Sequence, residues 1–171
     1  PYWFEEPCPP DNIDAILEVK NNTTIPVVTG EAHYTRNGFR EIFDKRAVDI
    51  INPDICNTGG ILELTQIAAM AQPHYIAVSP HGYNSTSIGC AAAVHASATI
   101  PNFLIYEYFV NVEDVCRNIT KGYLEPNNSY IELPTDPGLG IEIDETKLAN
   151  YPYAPFPPRN IRTVEDERRW H

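Results

Sequence analysis

The sequence predicts an α/β fold in which parallel strands alternate with helices and curve into the second half of a β/α barrel. Three observations carry this. Five short apolar runs rich in β-branched or aromatic residues recur along residues 1–109, and a stretch of helical periodicity separates each from the next. One ionisable residue closes each run: Glu5, Glu31, Asp54, His81 and Glu107, at separations of 26, 23, 27 and 26. Strands joined through single helices at this spacing are right-handed parallel crossovers. An open sheet gathers ligands only at its switch point, whereas a barrel brings every strand end to one mouth, so polar groups at one height favour the barrel. A complete barrel has eight strands and about 250 residues, which makes five runs one half of it.

The runs are Tyr2-Trp3-Phe4, Pro26-Val27-Val28-Thr29, Val48-Asp49-Ile50-Ile51, Tyr75-Ile76-Ala77-Val78 and Phe103-Leu104-Ile105-Tyr106. Each is nearly continuous, as a strand buried on both faces must be. Between them Ile13, Ile16 and Leu17 form one helix face, Phe39, Ile42 and Phe43 a second, Ile61, Leu64, Ile67, Ala68 and Ala71 a third, and the alanine-rich Ile88 to Ala98 a fourth. Gly59-Gly60 suits a tight turn into the third helix or an anion site at its start. Prolines cluster from Pro126 to Pro158, with Pro152, Pro155, Pro157 and Pro158 among them, ahead of a mixed-charge end at Arg159 to His171. That change of composition divides the chain into residues 1–109 and a C-terminal segment, 110–171.

Twelve Lys and Arg against 23 Asp and Glu give a net charge of −11 in 171 residues, which argues against nucleic acid or an anionic membrane surface as the main partner. No apolar run approaches the length of a membrane span, and Pro1-Tyr2-Trp3-Phe4-Glu5-Glu6 resembles neither a signal peptide nor a Met start. The expectation is a soluble, cytoplasmic chain that begins in mid-fold. Cys8, Cys56, Cys90 and Cys116 lack metal-ligand spacing and read as single thiols. The sequons at Asn22, Asn84 and Asn118 are short enough to arise by chance. No nucleophile elbow, dinucleotide fingerprint or phosphate loop is present.

Four carboxylates and an imidazole converging on one mouth suggest a hard divalent cation with a proton-transfer group beside it, and oxygen donors without thiolate favour Mg²⁺ over Zn²⁺. Glu5 and Glu6 point to opposite faces, so one faces the mouth and the other is a solvated or salt-bridged neighbour. Glu31 follows Thr29-Gly30, where glycine permits close backbone approach or an unusual turn. Asp54, after Asn52-Pro53, is equally a turn or cap residue, and a lone His81 after Ser79-Pro80 is more often structural. Only their shared spacing lifts them together. Asp54 and His81 lie on neighbouring strands, close enough for the carboxylate to fix the imidazole tautomer and raise its basicity. His95, inside the alanine-rich helix, reads as a core or groove histidine. His33 and His74 lie in loops and read as solvated, with His33 kept beside Arg36, His81 and Glu107 as a candidate substrate contact.

Trp3-Phe4-Glu5-Glu6-Pro7, Thr29-Gly30-Glu31, Asn52-Pro53-Asp54-x-x-x-x-Gly59-Gly60, Ser79-Pro80-His81, Ile105-Tyr106-Glu107 and the late Asp136-Pro137-Gly138-Leu139-Gly140-Ile141 turn together resemble the second half of the enolase superfamily. The likeness is to its mandelate racemase/muconate lactonizing enzyme-like members, and nearest to acid-sugar dehydratases of the galactonate dehydratase type. The resemblance implies the C-terminal half of a TIM-like (β/α)7β barrel of the enolase type, about strands 4 to 8, with residues 110–171 completing the barrel and returning to a capping domain. It implies that Glu5 and Glu31 are two of three Mg²⁺ ligands, one ion per complete site. Asp54 and His81 form its Asp–His dyad, and Glu107 hydrogen-bonds the substrate carboxylate. The implied reaction removes the proton α to that carboxylate, gives an enediolate stabilised by Mg²⁺, and expels the β-hydroxyl to leave a 2-keto-3-deoxy sugar acid. Relatives with a lysine base after the sixth strand would need Lys where this chain has Asp54 or Asn57, which disfavours their cycloisomerase chemistry. Many galactonate-type relatives have Arg after the third ligand; here Ala32 stands there, and Arg36 is the candidate substitute.

The same resemblance places the first metal ligand, the opposite-face base and the capping domain outside these residues. Alone, the half barrel is expected to have an incomplete metal site, no turnover and exposed sheet edges. Its expected partners are a sugar acid, the N-terminal half of the barrel with its capping domain in the same or a separate chain, and further copies in a homo-oligomer. Alternatives are a racemase or epimerase of the same superfamily, or a noncatalytic sugar-acid-binding or assembly protein.

Overall fold

The computed structural model describes residues 1–83 and 85–153; Asn84 of one sequon, Pro155, Pro157, Pro158 and the mixed-charge end lie outside the described residues. The first part of the chain runs β1 (Phe4–Glu5), α1 (Ile13–Asn21), β2 (Val27–Thr29), α2 (Thr35–Lys45), β3 (Ile50–Ile51), α3 (Ile55–Thr58), α4 (Ile61–Ala71), β4 (Ala77–Val78) and α5 (Thr86–Ser97). The strands pair in chain order, β1-β2-β3-β4, all parallel, with Phe4 opposite Val27, Val28 opposite Ile50 and Ile50 opposite Ala77. Helices pack in the same succession, α1 on α2, α2 on α4 and α4 on α5. A doubly wound sheet would reverse direction at a switch point and carry helices on both faces. Strands that never double back, under one layer of successive helices, form a barrel sector.

Side-chain periodicity explains each layer. Phe39, Ile42 and Phe43 are spaced i, i+3, i+4, so all three sink into the core from one stripe of α2. The helix stops at Arg46, whose left-handed backbone returns its N–H to the carbonyls of Ile42 and Phe43. Leu64, Ile67, Ala68 and Ala71 do the same for α4, whereas Ile61, expected on that face, is exposed at the helix start. The small residues of α5 let nearly the whole helix sink in, with Ala91, Ala93, Val94 and Ala96 buried. At the foot of the sheet Asp49 accepts the N–H of Val27 at 3.0 Å and pairs with Lys20 Nζ at 3.2 Å, joining β2 to β3. Lys20 also donates to the carbonyls of Arg46 (3.0 Å) and Val48 (2.8 Å).

Two expectations need correction. Strand β1 starts at Phe4, so Glu5 lies inside the strand, and the fifth run, Phe103 to Tyr106, forms a single parallel bridge to Val78 and no strand. The run still follows β4, through Val78 N–H to Asn102 O (2.9 Å), Leu104 N–H to Val78 O (2.8 Å) and Glu107 N–H to Pro80 O (3.1 Å). The strand it would pair with, β4, is only two residues long, and the pairing does not extend past that one bridge. Beyond it, a 3₁₀ turn at Val110–Val112 leads to α6 (Glu113–Ile119), β5 (Thr120–Lys121), β6 (Glu142–Ile143) and α7 (Glu145–Leu148). This segment docks on α5 through Ser87 Oγ to Thr120 Oγ1 (2.6 Å) and His95 Nε2 to Leu139 O (3.2 Å), which makes His95 a groove histidine. No helix among the described residues is long and apolar enough to cross a membrane.

Candidate active site

Parallel strands in register deliver their C-terminal residues to one edge, and the site is built there. Asp54 follows β3 and His81 follows β4; their backbones form a parallel bridge, and His81 N–H donates to Pro53 O at 3.2 Å. The side chains then meet, Nδ1 of His81 lying 2.8 Å from Oδ2 of Asp54. Asp54 has a second duty as N-cap of α3, its Oδ1 accepting the N–H of Cys56 at 2.7 Å, so the cap and dyad readings hold of one side chain. A carboxylate fixed by both bonds cannot rotate away from the ring. The other ring nitrogen, Nε2, faces Oε2 of Glu31 at 3.0 Å and Oε2 of Glu107 at 3.4 Å. Tyr83 stacks on the imidazole at 6.3 Å between centroids, backed by Phe109.

Electrostatics follow from this crowding. Burial by itself lowers the pKa of His81, but the hydrogen bond to Asp54 and the charges of Glu107, Glu31 and Asp54 outweigh it, and the net shift is upward. Glu31 is also raised, by burial first, then by Glu5, Glu6 and Glu107, against the pull of His81. The imidazole thus tends to keep its proton while the carboxylate opposite resists losing one.

Four predicted residues, Glu31, Asp54, His81 and Glu107, are therefore in direct contact. Glu5 is one strand further round, its Oε2 taking the indole N–H of Trp3 at 3.0 Å and its Oε1 the amide of Asn52 at 2.7 Å. Neither Arg36 nor His33 touches His81 in the contacts among the described residues. Arg36 gives its backbone N–H (2.6 Å) and its Nε (3.0 Å) to Oε1 of Glu63 on α4. His33, expected to be solvated, packs on Phe39 at 5.6 Å with Nε2 buried and without a hydrogen-bond partner, and burial lowers its pKa. His74 likewise stacks on Phe43 at 5.8 Å, because both loops fold back over α2. Glu6 is half-buried and has no ion pair among the described residues; its Oε1 accepts from the Thr29 hydroxyl and, at 3.4 Å, from Gly30 N–H.

Spacing arguments missed three more residues. Gly82 donates its N–H to Oε2 of Glu107 at 3.2 Å, Tyr83 covers His81, and Asn52 grips Glu5. The signal for Asn52 was a polar residue continuing an apolar run at the height of the other strand ends.

The donor set suits a hard cation, with carboxylate oxygens and no thiolate. The pKa of Glu31 is raised first by burial and then by the charges of Glu5, Glu6 and Glu107, and a cation would relieve that charge. Among the described residues, no three His, Cys, Asp or Glu side chains are grouped so as to hold an ion together. Glu5 and Glu31 both carry oxygen donors of that kind.

Residues 1–147 match the family described as Enolase C-terminal domain-like. The chain is 36% identical over 143 residues to D-xylonate dehydratase of Haloferax volcanii, covering 84% of this chain and 34% of that protein. It is 33% identical over 157 residues to D-galactarolactone cycloisomerase of Agrobacterium fabrum, covering 87% and 41% respectively. Among solved structures, a mandelate racemase/muconate lactonizing enzyme-like protein from Rubrobacter xylanophilus superposes with a TM-score of 0.83 at 38% identity, covering 88% of this chain and 39% of that one. The chain thus spans about two fifths or less of these relatives. A cycloisomerase stands among them at nearly the same identity as a dehydratase, so likeness alone does not separate the two activities.

Proposed function

The chain belongs to the Enolase C-terminal domain-like family, and from that premise we propose that it forms part of a Mg²⁺-dependent acid-sugar dehydratase. The observation that carries the reading is His81, held at Nδ1 by Asp54, itself fixed as the N-cap of α3, and presenting Nε2 to two carboxylates. Glu5 and Glu31 would hold the ion, whose charge would offset the negative charge that develops on the substrate carboxylate as the α-proton leaves. Asp54 fixes the ring with a proton on Nδ1, and although burial lowers the pKa of His81, the hydrogen bond to Asp54 and the charges of Glu107 and Glu31 raise it overall, which favours a second proton on Nε2. An imidazolium so placed is a general acid. Once a base from outside these residues has taken the α-proton, the electron pair left there forms the α,β double bond, the C–O pair departs with the β-oxygen, and Nε2–H protonates that oxygen so that water leaves. Glu107, held by Gly82, borders the same ring nitrogen and would orient the substrate carboxylate end. Arg36 is engaged by Glu63 on α4 through its Nε.

The test is turnover by the assembled barrel with Mg²⁺ and a panel of sugar acids, following keto-acid formation and α-proton exchange in heavy water. Keto-acid formation that falls by roughly 10²–10⁴ in His81→Asn supports the reading, since that is the usual contribution of one general acid. Exchange without dehydration would make the protein a racemase, and sugar-acid binding without exchange a binding module.

A further inference from the structure

Glu5 is one carboxylate among four, with Glu6, Glu31 and Glu107 as neighbours in charge, and nothing cationic touches it among the contacts described. Left to Coulomb repulsion it would swing toward solvent. Two neutral donors hold it instead, Trp3 on Oε2 and Asn52 on Oε1. The Asn52 contact is unusual. The residue is 3% exposed, its Nδ2 donates to Glu5, and its Oδ1 is buried with no hydrogen-bond partner among the described residues. Turning the amide over would set that oxygen against the Glu5 carboxylate, so the orientation with an unsatisfied acceptor is the one that serves Glu5. Half-satisfied buried amides are costly and persist where the satisfied half is needed. The neighbouring strand is shaped to admit it: a Cβ on Gly30 would come within 2.9 Å of Asn52 N and 3.1 Å of Oδ1, so the close approach that Gly30 permits is the approach of Asn52.

We propose that Asn52 is a positioning residue for the cation site, locking the Glu5 carboxylate in its ligating orientation through the Nδ2–Oε1 hydrogen bond, with Gly30 making the room. The inference rests on the reading of Glu5 and Glu31 as Mg²⁺ ligands and extends it to a residue that touches neither metal nor substrate. Hydrogen-bond partners of metal ligands typically carry 10–100-fold in metal affinity.

The experiment is calorimetric titration of the assembled barrel with Mg²⁺ alone, together with thermal unfolding. Asn52→Ala is expected to weaken Mg²⁺ binding 10–100-fold. The control is Asn102→Ala, at another buried amide with an unpartnered Oδ1 but bonded to the carbonyls of Ala68 and Ile76; it is expected to lower the unfolding temperature and leave Mg²⁺ affinity unchanged. Should Asn52→Ala not fold, Asn52→Thr keeps most of the volume while its hydroxyl is too short to reach Glu5, and the same weakening is expected. Mg²⁺ affinity within about twofold of the parent in a folded Asn52 variant overturns the inference alone. A parent protein that binds no Mg²⁺ overturns the functional reading and this inference with it.

Discussion

His81 gathers its proton affinity from groups that can be removed one at a time. Its folded pKa lies above the ordinary 6.5 because the Asp54 hydrogen bond and the charges of Glu107, Glu31 and Asp54 overcome burial. A raised pKa means that the folded state binds more protons than the unfolded one, so stability falls as pH rises. The contribution of His81 is complete below pH 6.5 and is lost as pH climbs through its folded value. Glu31 acts in the same direction from 4.5 upward, because its raised pKa penalises the ionised form in the fold. Asp54→Asn separates charge from structure here, since asparagine caps a helix as well as aspartate does and α3 should start unchanged. The expected result is that His81, followed by its ring proton resonance, titrates above 6.5 in the parent and at a lower pH in Asp54→Asn. The fall in unfolding temperature between pH 6 and pH 8 should shrink with it. An unchanged titration midpoint would remove Asp54 as the source of the shift.

The element that carries His81 is set against the last run of the half barrel with no slack. A Cβ on Gly82 would fall 2.0 Å from the carbonyl oxygen of Glu107 and 2.9 Å from the Tyr106 hydroxyl. Gly82→Ala must therefore push residues 103–107 off β4, breaking the Gly82–Glu107 hydrogen bond and loosening the bond from Glu107 N–H to Pro80. A cost of about 1–3 kcal/mol is expected from chemical denaturation, as for other overpacked sites, with near-ultraviolet dichroism reporting the altered tyrosine environment. A stability equal to the parent would show that the loop yields freely. Nothing in the sequence marked Gly82, because its need is for space made by a residue 25 positions away. The four buried helix faces were legible through i, i+3, i+4 spacing, and the strands through their β-branched runs. The four-residue α3 was not, since one turn is too short to show a period. Asp54, His81, Glu31 and Glu107 could be picked out because parallel register puts strand ends at one height. Arg36 and His33 could not be placed, because loop residues answer to local packing, here Glu63 and Phe39.

At the scale of the molecule two terms compete at the sheet edges. Phe4 is 45% exposed on β1, and Phe103 and Ile105 are 40% and 51% exposed along the opposite edge, so polypeptide 1–171 presents apolar strand edges of the kind that pair with other chains. Against this stands a net charge of −11, which makes copies repel. The two respond differently to salt: the screening length shrinks from about 30 Å at 0.01 M to about 8 Å at 0.15 M, while burial of apolar surface is hardly affected. Sedimentation velocity of polypeptide 1–171 is therefore expected to show association that strengthens as salt rises over that range. Adding the complementary half of the barrel should abolish it by covering both edges. Association held by ion pairs would weaken with salt, and a monomer at every ionic strength would mean that the edges are not adhesive; either result contradicts the edge argument.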